Sequence, residues 1–104
     1  MTSLPRTDSV QPQLPHARFD QANGVLGTRQ GDTTVLLDVN GGMYYTLNEV
    51  GGRIWELLGA GVEIPTIVQR LQEEYDVEPE TLAADTAGLI DRLLQANLVR
   101  AAGR

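Results

Sequence analysis

The stretch Gly42-Met43-Tyr44-Tyr45-Thr46-Leu47-Asn48-Glu49-Val50-Gly51-Gly52 decides the fold. It leaves a tight turn, runs through a short strand with paired tyrosines and enters a helix that Asn48 can cap. A strand this short, followed at once by amphipathic helices, leaves a main-chain edge beside a helix. Such an edge can accept another peptide as an extra strand. Tyr44 and Tyr45 point to opposite faces of the strand, so one packs toward the helices and the other lies nearer solvent.

Upstream, two more apolar segments centre on Val25 to Thr28 and Thr33 to Val39. Gln30-Gly31-Asp32 closes the first hairpin and Asn40-Gly41 the second, because Gly and Asn accept the positive φ that tight hairpins demand. The result is a three-stranded antiparallel meander with the segment 42–47 at one edge, and Asp38 is a turn residue. Residues 1–18 hold Pro5, Pro12 and Pro15 among polar residues with no periodicity, and they read as a mobile tail before a single domain over residues 19–104.

Downstream, Val50, Ile54, Leu57 and Leu58 recur at helical spacing with Trp55 beside them, and Gly59-Ala60-Gly61 ends that helix. A second helix starts near Ile64 with Pro65 in its first turn, where the missing N–H costs nothing, and buries Ile67, Val68 and Leu71. A third runs from near Pro79 to about Ala96 with Leu82, Thr86, Leu89, Ile90 and Leu93 on one stripe, and Asn97 follows as a cap. Leu98 and Val99 return as a short extended end. Three strands followed by three helices, with a short turn between the last two, give an α+β domain of the winged helix-turn-helix type.

Composition narrows the function. The chain has 104 residues and no Cys, which removes disulfides, thiolate metal sites and a Cys nucleophile and suits a reducing cytoplasm. All eight basic residues are Arg, so Lys chemistry is excluded. Residues 33–100 carry four arginines against eleven acidic residues, a balance of −7 that repels phosphate. A DNA-reading winged helix is disfavoured accordingly, since its third helix would carry Glu78, Glu80, Asp85 and Asp91 against Arg92 alone. No apolar run approaches the roughly 20 residues needed to span a bilayer. His16 is the sole histidine, with no carboxylate cluster around it, and no Ser has a His nearby. Neither a metal, nor a cofactor, nor catalysis by this chain is expected. An open edge also admits self-pairing, so a monomer or weak homodimer is expected.

Taken together, Leu36-Leu37-Asp38, Gly42, Tyr44-Tyr45, Leu47-Asn48, Val50-Gly51, Ile54-Trp55, Leu58, Gly61, Ile67-Val68, Leu71, Tyr75-Asp76-Val77, Asp85, Leu93 and Leu98-Val99 resemble the PqqD-like family. Its members are recognition elements for the leader peptides of ribosomally made, modified natural products. The resemblance covers about residues 25–100, and the tyrosine pair before Leu47-Asn48 is most similar to the stand-alone lasso-peptide type. Asn97 stands where that type has Gly. The resemblance implies a leader peptide added antiparallel to the strand at 42–47, in the groove beside the third helix. On the strand, Met43, Tyr44, Tyr45 and Thr46 are the candidate contacts. On the helix they are Asp85, Gly88, Leu89 and Arg92, of which Asp85, Gly88 and Arg92 project with Thr81 onto one flank of the core stripe. The partners implied are a leader peptidase and an ATP-dependent cyclase, or a radical SAM enzyme if the pathway is of the PQQ type.

Overall fold

A computed structural model of the chain describes residues 18–102. The proline-containing segment 1–17 and His16 within it lie outside the described residues. Eight elements follow in order: β1 (Phe19–Gln21), β2 (Val25–Gln30), β3 (Thr33–Asp38), β4 (Met43–Leu47), α1 (Glu49–Gly59), α2 (Ile64–Glu74), α3 (Pro79–Gln95) and β5 (Val99–Ala101).

Strands β2, β3 and β4 form the antiparallel meander in that order, with Val25 opposite Asp38 and Leu36 opposite Tyr45. Alternation along the strands sorts the side chains. Thr34 and Leu36 are buried and their partners Leu47 and Tyr45 half-buried, all on the helix-facing side. Leu26 and Tyr44 sit on the outer side and are exposed. The turn into β4 differs in detail from the Asn40-Gly41 expectation: it spans 39–42, and the residue that takes a positive φ, +70°, is Gly42. Asp38 stabilises this turn as its Oδ1 accepts from the amides of Asn40 and Gly41, at 3.1 and 3.3 Å.

The helices start where their caps dictate. Asn48 Oδ1 accepts from the Gly51 amide at 2.8 Å, satisfying one of the donors a helix leaves free at its N-terminus. α1 then lies close on the sheet at Gly52, where a Cβ would run into the Thr34 side chain. Pro65 and Pro79 occupy the first turns of α2 and α3. Arg53 on α1 grips both carboxylate oxygens of Glu74 on α2 at 2.8 Å, a bidentate link between these two helices. Asn97 follows α3 with φ +61°, a left-handed conformation that Asn tolerates better than most residues.

One element goes beyond the sequence reading. Residues 19–21 form β1, which pairs antiparallel with β5 in a separate two-stranded sheet, Phe19 opposite Ala101 and Gln21 opposite Val99. Phe19 and Val99 are buried there, and Gln21 Nε2 donates to the Trp55 carbonyl at 3.0 Å. This clamp seats the end of α3 and the start of β5 against α1. The core is then one cluster: Leu36, the α1 face from Ile54 to Leu58, Ile67 and Leu71 of α2, and Leu82, Leu89, Ile90 and Leu93 of α3, closed by Leu98. Thr86, fully buried among them, donates to the Leu82 carbonyl at 2.8 Å and leaves no unmet hydroxyl.

Candidate functional site

β4 is an edge strand with one partner, β3, and its other side is free of main-chain pairing to a described strand. Which main-chain groups it offers follows from the phase of the ladder. The Val39 amide bonds to the Gly24 carbonyl at 2.8 Å, so odd-numbered residues of β3 face β2 and even-numbered ones face β4. Leu36 and Thr34 therefore bond to Tyr45 and Leu47, their opposite residues. Tyr44 and Thr46 are the β4 residues whose N–H and C=O groups point to the open side.

Two adjoining recesses lie between that edge and α3. The larger, about 540 Å³, is walled by Thr46, Leu47 and Asn48 on one side and by Ala84, Asp85, Gly88 and Arg92 on the other, over a floor that includes Val50, Ile54, Leu82 and Leu89. The smaller, about 280 Å³, is bounded by Tyr45, Thr46 and Leu47, by Leu89, Arg92, Leu93 and Ala96 of α3, and by Leu98. Neither touches β2, so of the two free edges of the sheet only that of β4 adjoins them.

Of the residues singled out from sequence, Thr46, Asp85, Gly88, Leu89 and Arg92 meet around the larger recess, and Tyr45 joins Thr46, Leu89 and Arg92 around the smaller. Thr81, projected onto the same flank of α3, lines neither. Met43 and Tyr44 lie outside both walls. Tyr44 is 70% exposed on the outer face of the sheet, so its contribution to the edge is its main chain. Leu47, Asn48, Val50, Ala96 and Leu98 also shape the groove; the strand-to-helix junction and the return into β5 signalled them in sequence, but only the folded chain brings them together.

The groove is apolar at its floor and charged at its rim. Asp85 and Arg92 are both exposed, and neither forms an ion pair with a described residue. Among the described residues no group of His, Cys, Asp or Glu side chains could hold a metal ion, and no helix is long and apolar enough to cross a membrane. What the arrangement offers is hydrogen bonding along an edge and two side-chain recesses under it.

Comparison with known proteins agrees with this geometry. Residues 33–99 match the profile of the family described as coenzyme PQQ synthesis protein D, PqqD. Two solved structures superpose closely. One, TbiB1 in complex with the TbiA(beta) leader peptide, is 29% identical with a TM-score of 0.73 over 82% of this chain and 99% of that one. The other, a lasso peptide synthetase B1 complexed with the leader peptide, is 27% identical with a TM-score of 0.73 over 81% of this chain and 99% of that one. Among curated proteins no significant sequence match is found.

Proposed function

The chain belongs to the PqqD family, and from that premise and the groove beside β4 we propose that it binds the leader peptide of a ribosomally made precursor, of the lasso-peptide kind, and presents it to processing enzymes. The observation that carries the reading is the open edge of β4, whose Tyr44 and Thr46 main-chain groups lie next to the two recesses on α3. The likeness to two B1 proteins bound to leader peptides supports it.

The energetics require both parts of the site. Main-chain hydrogen bonds contribute about 0.5–1.5 kcal/mol each, against an ordering cost of roughly 1–2 kcal/mol per peptide residue. Strand pairing alone does not hold a peptide. Each buried apolar anchor adds about 1.5–3 kcal/mol, so the recesses supply affinity and selectivity while the edge fixes register. Met43 and Tyr44 extend the edge of β4 beyond the recesses, and Asp85 and Arg92 are placed to meet charges on the incoming peptide.

The chain performs no chemistry itself in this account. Its enzymatic partners are a leader peptidase and an ATP-dependent cyclase, and it works with them in the cytoplasm. The test is a cleavage assay on the precursor encoded beside this chain. The protein alone leaves the precursor intact, and adding it to the neighbouring peptidase accelerates leader removal. Cleavage by the purified chain, abolished by a point substitution within it, would overturn the reading.

A further inference from the structure

The sequence contains the pair Asn-Gly twice, at Asn23-Gly24 and Asn40-Gly41. Such a pair carries a reaction of its own. The glycine nitrogen, with no side chain beside it, can close on the carboxamide carbon of the asparagine and expel ammonia. In this fold both pairs lie in exposed turns at the same end of the meander, the first between β1 and β2 and the second between β3 and β4. They also touch. Asn40 Nδ2 donates to the Asn23 carbonyl at 3.4 Å, and the same nitrogen fills the space that a Cβ on Gly24 would take. The fold therefore keeps the first reactive pair, since Gly24 also stands at φ +84°.

The two pairs are held differently. The Gly41 amide donates to Asp38 Oδ1 at 3.3 Å, and the same oxygen accepts from the Asn40 amide at 3.1 Å. Attack requires the Gly41 amide to lose its proton, and a carboxylate that holds this proton disfavours the anion by charge repulsion. The Asn40 carboxamide is itself engaged with the Asn23 carbonyl. At the first pair neither restraint is present. The Gly24 amide donates to no described residue, and the Asn23 carboxamide bonds to none.

We propose that Asn23 is a site of covalent modification that needs no enzyme, converting to aspartate and isoaspartate, while Asp38 protects Asn40. The Gly24 nitrogen gives its proton to solvent hydroxide and bonds to Asn23 Cγ. The Cγ–Nδ2 bond breaks, and that nitrogen takes a proton from water and leaves as ammonia. Water then opens the cyclic imide at either carbonyl. Opening at Cγ leaves aspartate. Opening at the main-chain carbonyl leaves isoaspartate, in which the chain runs on through Cβ and Cγ and the former carbonyl becomes a free carboxylate. The longer main chain enters between the β1–β5 clamp and the bond from the Val39 amide to the Gly24 carbonyl, which sets β2 on β3 at 2.8 Å. The new carboxylate replaces the carbonyl that accepts from Asn40. Neither recess includes a residue of this turn, so the reaction ages the scaffold and leaves the groove untouched.

The experiment incubates the full chain in mildly alkaline buffer at physiological temperature. Peptide mapping by mass spectrometry follows the change of NH2 to OH at each asparagine, and methyl transfer by an isoaspartyl methyltransferase counts the isoaspartate. In urea the two pairs react at like rates. In the folded protein Asn40 falls behind Asn23 by on the order of tenfold or more, the scale of one charge-assisted hydrogen bond at the attacking nitrogen. Asp38→Ala releases Asn40 and closes that gap. Should this variant fail to fold, Asn23→Gln carries the test, because its isoaspartate then forms only at the slow Asn40 rate. The aged parent melts a few degrees below fresh protein. Equal rates at Asn23 and Asn40 in the folded parent, a faster Asn40, or isoaspartate formation undiminished in Asn23→Gln would overturn the assignment of Asn23. A gap that persists in folded Asp38→Ala would overturn the role given to Asp38.

Discussion

Proline at two adjacent positions of β4 has opposite consequences. The Thr46 N–H points to the open side of the sheet and bonds to no described strand, whereas the Tyr45 N–H bonds to Leu36 in the ladder. Thr46→Pro therefore leaves the β3–β4 ladder intact, and proline is tolerated on an edge strand. The residue before it, Tyr45, is already extended, the conformation that a following proline favours. Bound leader loses one hydrogen bond, about 0.5–1.5 kcal/mol, and its carbonyl is left unpaired against the groove, about 1–3 kcal/mol more. Taken together, the dissociation constant rises by about tenfold to a thousandfold or more, while the melting temperature stays within a few degrees. Tyr45→Pro removes a ladder bond to fully buried Leu36 and leaves its carbonyl unpaired, which costs about 1–3 kcal/mol of fold stability. Fluorescence anisotropy with a labelled leader peptide and a circular-dichroism melt on each variant give both numbers. Unchanged leader affinity in Thr46→Pro, or an unaffected melt in Tyr45→Pro, would show that the assigned phase of β4 is wrong.

Three further outcomes are expected. Asp85→Asn keeps the shape of the rim and removes its charge. It raises the leader dissociation constant several-fold at low salt, in the range of about 0.2–1 kcal/mol for exposed pairs, with the gap closing as salt is added; equal binding at low salt would make Asp85 a solvated helix residue. Gly52→Ala forces a Cβ into Thr34 and lowers stability by about 1–3 kcal/mol, and adding Thr34→Ala recovers part of that loss in the same melt; an undiminished loss in the double variant would point to another cause. The Arg53 guanidinium, hydrogen-bonded to Glu74, holds that carboxyl below its usual range. Since the folded value lies below the unfolded one, the stabilisation is present above about pH 4.3 and fades as pH falls through the folded value. Glu74→Gln is thus less stable than the parent by up to about 1 kcal/mol at pH 7, a difference that vanishes in acid; a gap independent of pH would contradict the pairing.

The helices and the meander were legible because each is announced locally. Asn48, Pro65 and Pro79 mark starts, the 3.6-residue apolar stripes mark faces, and Gly31 marks the first hairpin turn, whereas the second, expected at Asn40-Gly41, takes its positive φ at Gly42. β1 was not legible. It is three residues long, too short to show a period, and its partner β5 lies at the far end of the chain. The α3 flank could be projected at 100° per residue, which brought Asp85, Gly88 and Arg92 together, but Thr81 on the same projection falls beyond the recess. The tyrosine pair divides between the two faces as alternation requires, and Tyr45 is the inward one because its cross-strand partner is buried Leu36. Which of the β4 amides are free could not be read from periodicity. It depends on the register of β2 against β3, fixed by a bond from Val39 to Gly24.

Residue-resolved amide hydrogen exchange, with and without a saturating leader peptide, tests the central claim most directly. The amides of Tyr44 and Thr46, open in the free protein, are expected to become protected on binding, while Tyr45 is protected in both states and the outward amides of β2 at Val25, Gly27 and Arg29 do not change. Protection gained along β2 with none at Tyr44 and Thr46 would contradict it.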